Sequence, residues 1–99
     1  MSEITALYDT MKKYQLIIKE KELKVLMNLG LRLKALRTQK SLTQEELSLM
    51  IGLGRTSITN IERGKQDTPI STIVRICCAL ECELSDLLNW EDENDTNKA

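Results

Sequence analysis

The sequence contains no histidine and no phenylalanine, and only three aromatic residues, one proline and four glycines. Because phenylalanine is absent, the core must be built from Leu, Ile, Val, Met and Ala. That composition, with few residues that interrupt helices, predicts an all-α fold. The 99 residues are enough for one domain with a core of modest size, and they leave little chain for a separate catalytic or effector-binding domain.

Patterns that mark enzymes and metal proteins are also missing. The sequence has no nucleophile elbow, no phosphate-binding glycine loop and no histidine for general acid–base catalysis. Cys77, Cys78 and Cys82 lie close together, but a structural zinc site needs four ligands in paired spacings. We therefore expect no enzyme activity, no metal and no cofactor. The cysteines are interpreted as reduced packing residues, with a redox or intermolecular role as the alternative.

Long apolar runs are absent as well. No stretch approaches the ~20 apolar residues that a membrane-spanning helix needs. The first residues, Met-Ser-Glu-Ile-Thr, lack the basic and then apolar layout of a signal peptide. These absences predict a cytoplasmic protein that does not enter a membrane.

Charge is unevenly distributed, although the net charge is only −1. Residues 30–66 carry seven Lys and Arg against three Glu, whereas residues 81–99 carry seven acidic residues against one Lys. A basic middle beside an acidic end suits a protein that meets phosphates with one face. Solvated charge on helix surfaces explains the same distribution equally well, so charge alone does not decide the function.

The spacing of apolar residues divides the chain into an N-terminal helical extension (1–28), a domain (29–90) and an acidic tail (91–99). In the extension, apolar residues repeat every three or four positions, as on one face of a helix: Ile4, Leu7, Met11, Tyr14 and Ile18. The segment 15–18 is equally consistent with a short strand. The tail lacks apolar anchors, so we expect it to be disordered.

Caps and helix breakers predict five short helices between residues 29 and 90. The first ends near residue 40, and Thr43 with Glu46 forms a capping box at the start of the second. Gly52 breaks the second helix, and Gly64 ends a third that begins at about residue 55. Thr68–Pro69 starts the fourth helix, with Pro69 as its first residue, and Ser85 caps a short fifth helix, 86–89.

Three motifs in this domain are arranged in a familiar order. They are LGLRLKALR (29–37), LTQEEL (42–47) followed by Gly52, and SITNIERGK (57–65). This combination resembles the phage-repressor/Cro (Xre) family of helix-turn-helix regulators. The resemblance implies a five-helix, lambda-repressor-like domain whose third helix enters the DNA major groove. Residues 1–28 and 91–99 lie outside it.

The resemblance also implies roles for ten residues. Base contacts are expected from the outward face of the third helix: Arg55, Thr56, Thr59 and Asn60. Arg matches the guanine edge, Asn matches the adenine edge, and a Thr methyl meets the thymine methyl. Backbone contacts are expected from Gln44, Ser57, Arg63 and Lys65, and a structural ion pair from Arg37 and Glu62. The alternative is an ordinary polar helix surface. Gly54 departs from the usual Ser or Thr cap, and Glu81 replaces a usual Gly.

The implied function is a sequence-specific transcriptional regulator, a repressor, that binds double-stranded DNA at a palindromic operator as a homodimer. One domain contacts too few bases for tight binding, so two copies are expected. The alternative is an antitoxin or adaptor module that uses residues 1–28 on a protein partner. Two surfaces are candidates for the dimer: the apolar stripe of the extension, which we favour, and a C-terminal set of Leu84, Leu87, Leu88 and Trp90.

Overall fold

The computed structural model describes residues 2–88, and within that range it contains five α-helices and no strand. The helices are α1 (Ser2–Gln39), α2 (Gln44–Ile51), α3 (Arg55–Glu62), α4 (Ile70–Leu80) and α5 (Leu84–Leu88). The predicted all-α, five-helix architecture is confirmed. The acidic tail and Trp90 lie outside the described residues.

α1 is a single helix of 38 residues that joins the predicted extension to the first helix of the domain without a break. The segment 15–18 is helical, so the strand alternative is wrong. Every residue from Ser2 to Val25 is exposed, and the first buried residue of α1 is Leu29. We call residues 2–25 the N-terminal arm, because they project from the rest of the protein. No helix among the described residues has the length and apolar character to cross a membrane.

The core lies where the second half of α1 packs against α3 and α5, and where α2 packs against α3 and α4. Buried residues recur three or four positions apart in these helices, so each helix turns one stripe inward. The core consists of Leu29, Leu33, Leu47, Ile51, Ile58, Ile61, Ile73, Ile76, Cys77, Leu80 and Leu87. Removing these aliphatic side chains from water is the main driving force for folding.

Two glycines set how closely α3 approaches α1. A Cβ atom at Gly30 would lie only 2.5 Å from the carbonyl oxygens of Ile61 and Glu62. Only glycine therefore allows α1 to cross the end of α3 at this distance. Gly64 has a φ of 70° and turns the chain away from α3 against the backbone of Met27. These contacts fix the end of α3 on the body of the domain.

The three cysteines occupy different environments, and all three are free thiols. Cys77 is part of the core and Cys82 packs against it, in agreement with their interpretation as packing residues. Burial is the main reason that the pKa of the Cys77 thiol rises to about 11. Cys78 is exposed, so the interpretation of this residue as a packing residue is wrong: it lies on the outer side of α4, one position from Cys77.

The predicted helix starts are correct for α2 and α3 but shifted for α4 and α5. Pro69 has ψ of 151° and is the N-cap of α4 rather than its first residue, and the N–H groups of Thr72 and Ile73 donate to its carbonyl. α5 begins before Ser85, because the Asp86 carboxylate accepts a hydrogen bond of 2.9 Å from the N–H of Glu83.

Candidate DNA interface

α2 and α3 form a helix-turn-helix unit joined by a three-residue turn. Gly52 adopts a left-handed conformation, with φ of 73°, that ends α2. The N–H groups of Gly52 and Leu53 both donate to the carbonyl of Ser48. Leu53 packs against the core and holds the turn closed. Gly54 precedes α3 without a side-chain cap, as expected for glycine at that position.

A buried ion pair holds α3 on the body of the protein. Arg37 Nε lies 2.6 Å from Glu62 Oε2, and Arg37 Nη2 lies 3.1 Å from Glu62 Oε1. The third donor, Arg37 Nη1, bonds to the carbonyl of Leu42 at 2.6 Å. Only 10% of the Arg37 side chain and 4% of the Glu62 side chain are exposed. The structure thus joins the two residues expected to form the pair, and their bidentate geometry fixes the direction of α3.

Gln44 extends this network to the outer face of α3. Its Nε2 donates to Glu62 Oε1 at 3.0 Å, and its Oε1 accepts a hydrogen bond from the Thr59 hydroxyl at 2.9 Å. The Thr59 hydroxyl also lies 3.1 Å from the carbonyl of Arg55. The side chain of Gln44 therefore links the start of α2 to two turns of α3. The sequence carries no signal for this link, because it joins residues 15 and 18 positions apart.

The start of α2 has the capping box expected from the sequence. The Glu46 N–H donates to the Thr43 hydroxyl at 3.0 Å, and the Thr43 N–H donates to the Glu46 carboxylate at 2.8 Å. The hydrogen bond from the Thr43 N–H to the carboxylate, and after it the Thr43 side chain, hold the pKa of Glu46 below its usual value. A shallow polar depression lies beside this helix start. It is lined by Arg37, Thr43, Gln44, Glu45 and Arg55.

The residues expected to contact bases lie on one face of α3. Their helical spacing places Arg55, Thr56, Thr59 and Asn60 on one side of α3, with the buried Ile58 and Ile61 on the other side and Glu62 at the boundary. Arg55 and Thr56 are exposed, whereas Thr59 and Asn60 are half-buried.

Residues expected to contact the DNA backbone lie around that face. Gln44 lies beside the first turns of α3, and Ser57 is half-buried at the edge of the face. Arg63 and Lys65 are exposed at the far end of α3, where the Lys65 N–H donates to the carbonyl of Asn60. The structure therefore places Gln44 beside the first turns of α3, and Arg63 and Lys65 at the end of the helix. These side chains are of the types that donate hydrogen bonds to DNA phosphates.

Comparison with known proteins places this unit in a family. Residues 33–87 match the Helix-turn-helix family HTH_3. The chain is 32% identical over 65 residues to the immunity repressor protein of Bacillus phage phi105. The aligned region covers 66% of this chain and 45% of that protein. It is also 32% identical over 62 residues to an uncharacterized HTH-type transcriptional regulator of Methanocaldococcus jannaschii, covering 63% of this chain and 94% of the regulator.

Solved structures give the same result. The restriction-modification controller protein C.AhdI of Aeromonas hydrophila superposes with a TM-score of 0.61 and 37% identity, covering 63% of this chain and 94% of the controller protein. The hypothetical transcription factor NHTF from Neisseria superposes with a TM-score of 0.65 and 29% identity, covering 69% of this chain and 78% of that protein. The present chain spans less than half the length of the phage repressor. It belongs to the Helix-turn-helix family of DNA-binding transcriptional regulators, which are not enzymes.

Proposed function

We propose that this protein is a sequence-specific transcriptional repressor that binds a palindromic operator as a homodimer and acts in the cytoplasm. The observation that carries the proposal is the polar outer face of α3, which is held on the domain by the buried Arg37–Glu62 pair. A helix of this kind fits the major groove with its first residues toward the base edges. The repressor assignment is supported by the likeness to the phage immunity repressor.

Base recognition is assigned to the face of α3. The exposed Arg55 guanidinium can bond both acceptors of a guanine, and the Asn60 amide can bond the donor and acceptor of an adenine. Thr56 is exposed in the first turn of α3. Thr59 differs, because its hydroxyl bonds within the protein and leaves the methyl group for contact with a thymine methyl.

Phosphate contacts are assigned to the residues around that face. Gln44 stands at the start of α2, where backbone N–H groups and the positive end of the helix dipole favour an anion. Ser57, Arg63 and Lys65 complete the set. Such contacts fix the register of the protein on the duplex but carry no sequence information of their own.

The homodimer is supported by the small size of the proposed reading face. Four residues on an eight-residue helix cover a few base pairs, whereas tight operators are bound by two copies on half-sites ~34 Å apart. The exposed N-terminal arm also supports a second candidate function, an antitoxin or adaptor module that binds a protein partner through residues 1–28.

Selection of binding sites from random duplex DNA, followed by fluorescence anisotropy at several salt concentrations, tests the proposal. We expect Arg55→Ala and Asn60→Ala to lose ~1–3 kcal/mol of discrimination at one base position each. Lys65→Ala should weaken binding to cognate and scrambled DNA alike, and Lys34→Ala, an exposed cation of α1, serves as the control. Failure to select any sequence would favour the adaptor role. An unchanged cognate-to-scrambled ratio in the Arg55 and Asn60 variants would remove α3 as the reading helix.

A further inference from the structure

The N-terminal arm carries an apolar seam that repeats every seven residues. Ile4, Met11, Ile18 and Val25 are spaced by seven, and Leu7 and Tyr14 follow the first two by three residues. We call these six residues the seam. A seven-residue repeat returns side chains to nearly the same face after two turns, which is the spacing of a coiled-coil seam.

The seam is uncovered in the single chain. The exposed fraction of its residues runs from 38% at Val25 to 69% at Ile4. An isolated helix is marginal in water unless an apolar face is packed, and apolar patches of this length mark interaction sites on soluble proteins. The seam therefore needs a partner, here called its occupant, that covers these side chains.

We propose that this occupant is the arm of a second copy of the chain, packed antiparallel along the seam. The inference rests on the homodimer of the proposed function and names its interface. A helix with the same seven-residue period stays in contact with successive turns of the seam, whereas a partner without that period would drift off it. The alternative dimer surface at the C-terminal end is smaller than the sequence predicted, because Leu87 is fully buried in the core of its own chain.

Charge decides the orientation of the two arms. Lys21 occupies the seam position that Leu7 and Tyr14 hold in the two preceding repeats. A parallel pair in register would set the two Lys21 side chains against each other inside the seam. An antiparallel pair centred between Lys12 and Lys13 sets Leu7 against Ile18 of the second copy instead.

The same antiparallel register suits the ends of the paired segment. Lys21 faces Ile4 of the second copy at the last layer, where its stem packs on apolar surface and its ammonium group reaches water. Glu3 then flanks Lys24 of the second copy, a pairing of opposite charges beside the seam.

A groove at the base of the arm fits this register independently. Its apolar wall is formed by Ile18, Val25 and Leu26, with Lys21 and Glu22 beside them and Asp67 on the loop between α3 and α4. Because residue 4 of the second copy lies opposite residue 21, the first turn of that helix reaches the groove beside Lys21 and Glu22.

Sedimentation equilibrium on the full chain tests the seam. We expect the unmodified protein to be a dimer at micromolar concentration and Leu7→Glu to raise the dimer dissociation constant by at least about tenfold, because a carboxylate enters the apolar seam. Leu16→Glu is the matched control, since Leu16 is 67% exposed, Leu7 is 61% exposed, and Leu16 lies off the seam. A monomeric unmodified protein, or equal masses for the two variants, would overturn the proposal.

Disulfide trapping tests the orientation, in a background in which Cys78 and Cys82 are replaced by serine. The antiparallel register predicts that Leu7→Cys and Ile18→Cys remain unlinked when oxidised separately, since like positions lie about 16 Å apart along the helix. An equimolar mixture should give a linked heterodimer. Linkage of each variant with itself would establish the parallel pair and overturn the register.

The two proposals fail in distinguishable ways. If the seam inference alone is wrong, the protein still selects a DNA sequence, and Leu7→Glu has the same mass as Leu16→Glu. If the DNA-binding proposal alone is wrong, the protein dimerises through the seam but selects no sequence. Thermal unfolding of each variant checks that the domain is intact, as expected because the arm contributes no residue to the core.

Discussion

Arg37 and Glu62 each satisfy the other's charge inside the protein, so removal of either leaves a buried charge without a partner. We expect Arg37→Ala to lower the free energy of unfolding by ~3–5 kcal/mol. That is a large share of the ~5–15 kcal/mol available to a domain. Urea unfolding followed by circular dichroism measures the change.

A double variant separates loss of the pair from loss of packing. Arg37→Met with Glu62→Leu replaces both charges by apolar groups, and such exchanges are often neutral or stabilising. We therefore expect the double variant to be more stable than Arg37→Ala. A single variant with the stability of the unmodified protein would show that the pair does not hold α3 in place.

The Cys77 thiol links stability to pH. Its pKa of about 11 in the folded protein lies above the ordinary 9.0, because burial disfavours the thiolate. The folded state therefore favours the neutral thiol, and this stability is complete below pH 9.0 and is lost as the pH rises to about 11.

This predicts a fall in the urea midpoint between pH 9 and 11 for the unmodified protein that is smaller in Cys77→Ala. Alkylation by iodoacetamide gives a second measurement, since exposed Cys78 should react in the folded state and Cys77 only after unfolding. Equal pH dependence in the two proteins would exclude Cys77 as the cause.

At the scale of the helices, α4 ends in a conformation that its sequence does not favour. Glu81 is the left-handed C-cap, with φ of 53°. Glycine adopts this conformation without the steric penalty of a Cβ atom, so we expect Glu81→Gly to stabilise the protein by about 1 kcal/mol. Thermal unfolding measures the gain.

Glu81→Ala is the control for the charge, because Glu81 also lies 3.7 Å from Lys40 in an exposed ion pair. Such pairs contribute little, and alanine keeps the strained Cβ. Glu81→Ala should therefore bring no gain. A similar stability for the Gly and Ala variants would argue against strain at this cap.

The helices show which boundaries the sequence determines. The capping box of Thr43 and Glu46 has one geometric solution, and α2 begins where it was predicted. The start of α4 is ambiguous, because proline has nearly the same φ as an N-cap and as a first helical residue. α5 shifts because Asp86 reaches back to the N–H of Glu83, a bond that its neighbour Ser85 does not make.

The candidate site shows a similar division. The helical repeat was enough to place Arg55, Thr56, Thr59 and Asn60 on one face. The pairing of Arg37 with Glu62 could be predicted only from the resemblance to a family. Gln44 as a link between α2 and Glu62 was missed, because a hydrogen bond across two helices has no local pattern. The periodicity of the arm likewise predicted an apolar face without showing what covers it.

At the scale of the whole molecule, the arm is continuous with the helix on which the reading helix packs. The arm is the first part of α1, and α3 packs against the second part of α1. α1 carries the seam between Ile4 and Val25 and carries Arg37 near its end, so pairing of two arms would set the distance and direction between two α3 helices. A rigid helix transmits that spacing better than a flexible linker. The arm would then limit the half-site separations that the dimer can bind.

Salt dependence on DNA measures whether two domains bind together. The logarithm of the binding constant falls with the logarithm of salt concentration in proportion to the phosphates contacted. For full-chain Leu7→Glu, held below its dimer dissociation constant, we expect about half the slope of the unmodified protein on a palindromic site, and weaker binding because the second half-site is no longer linked. Leu16→Glu should behave like the unmodified protein.

On a single half-site all three proteins should have similar affinities, because α3 and its supports are unchanged. A full slope for Leu7→Glu on the palindrome would mean that two copies meet through another surface. Leu84, the first residue of α5, would then be the next residue to test, since it is 42% exposed.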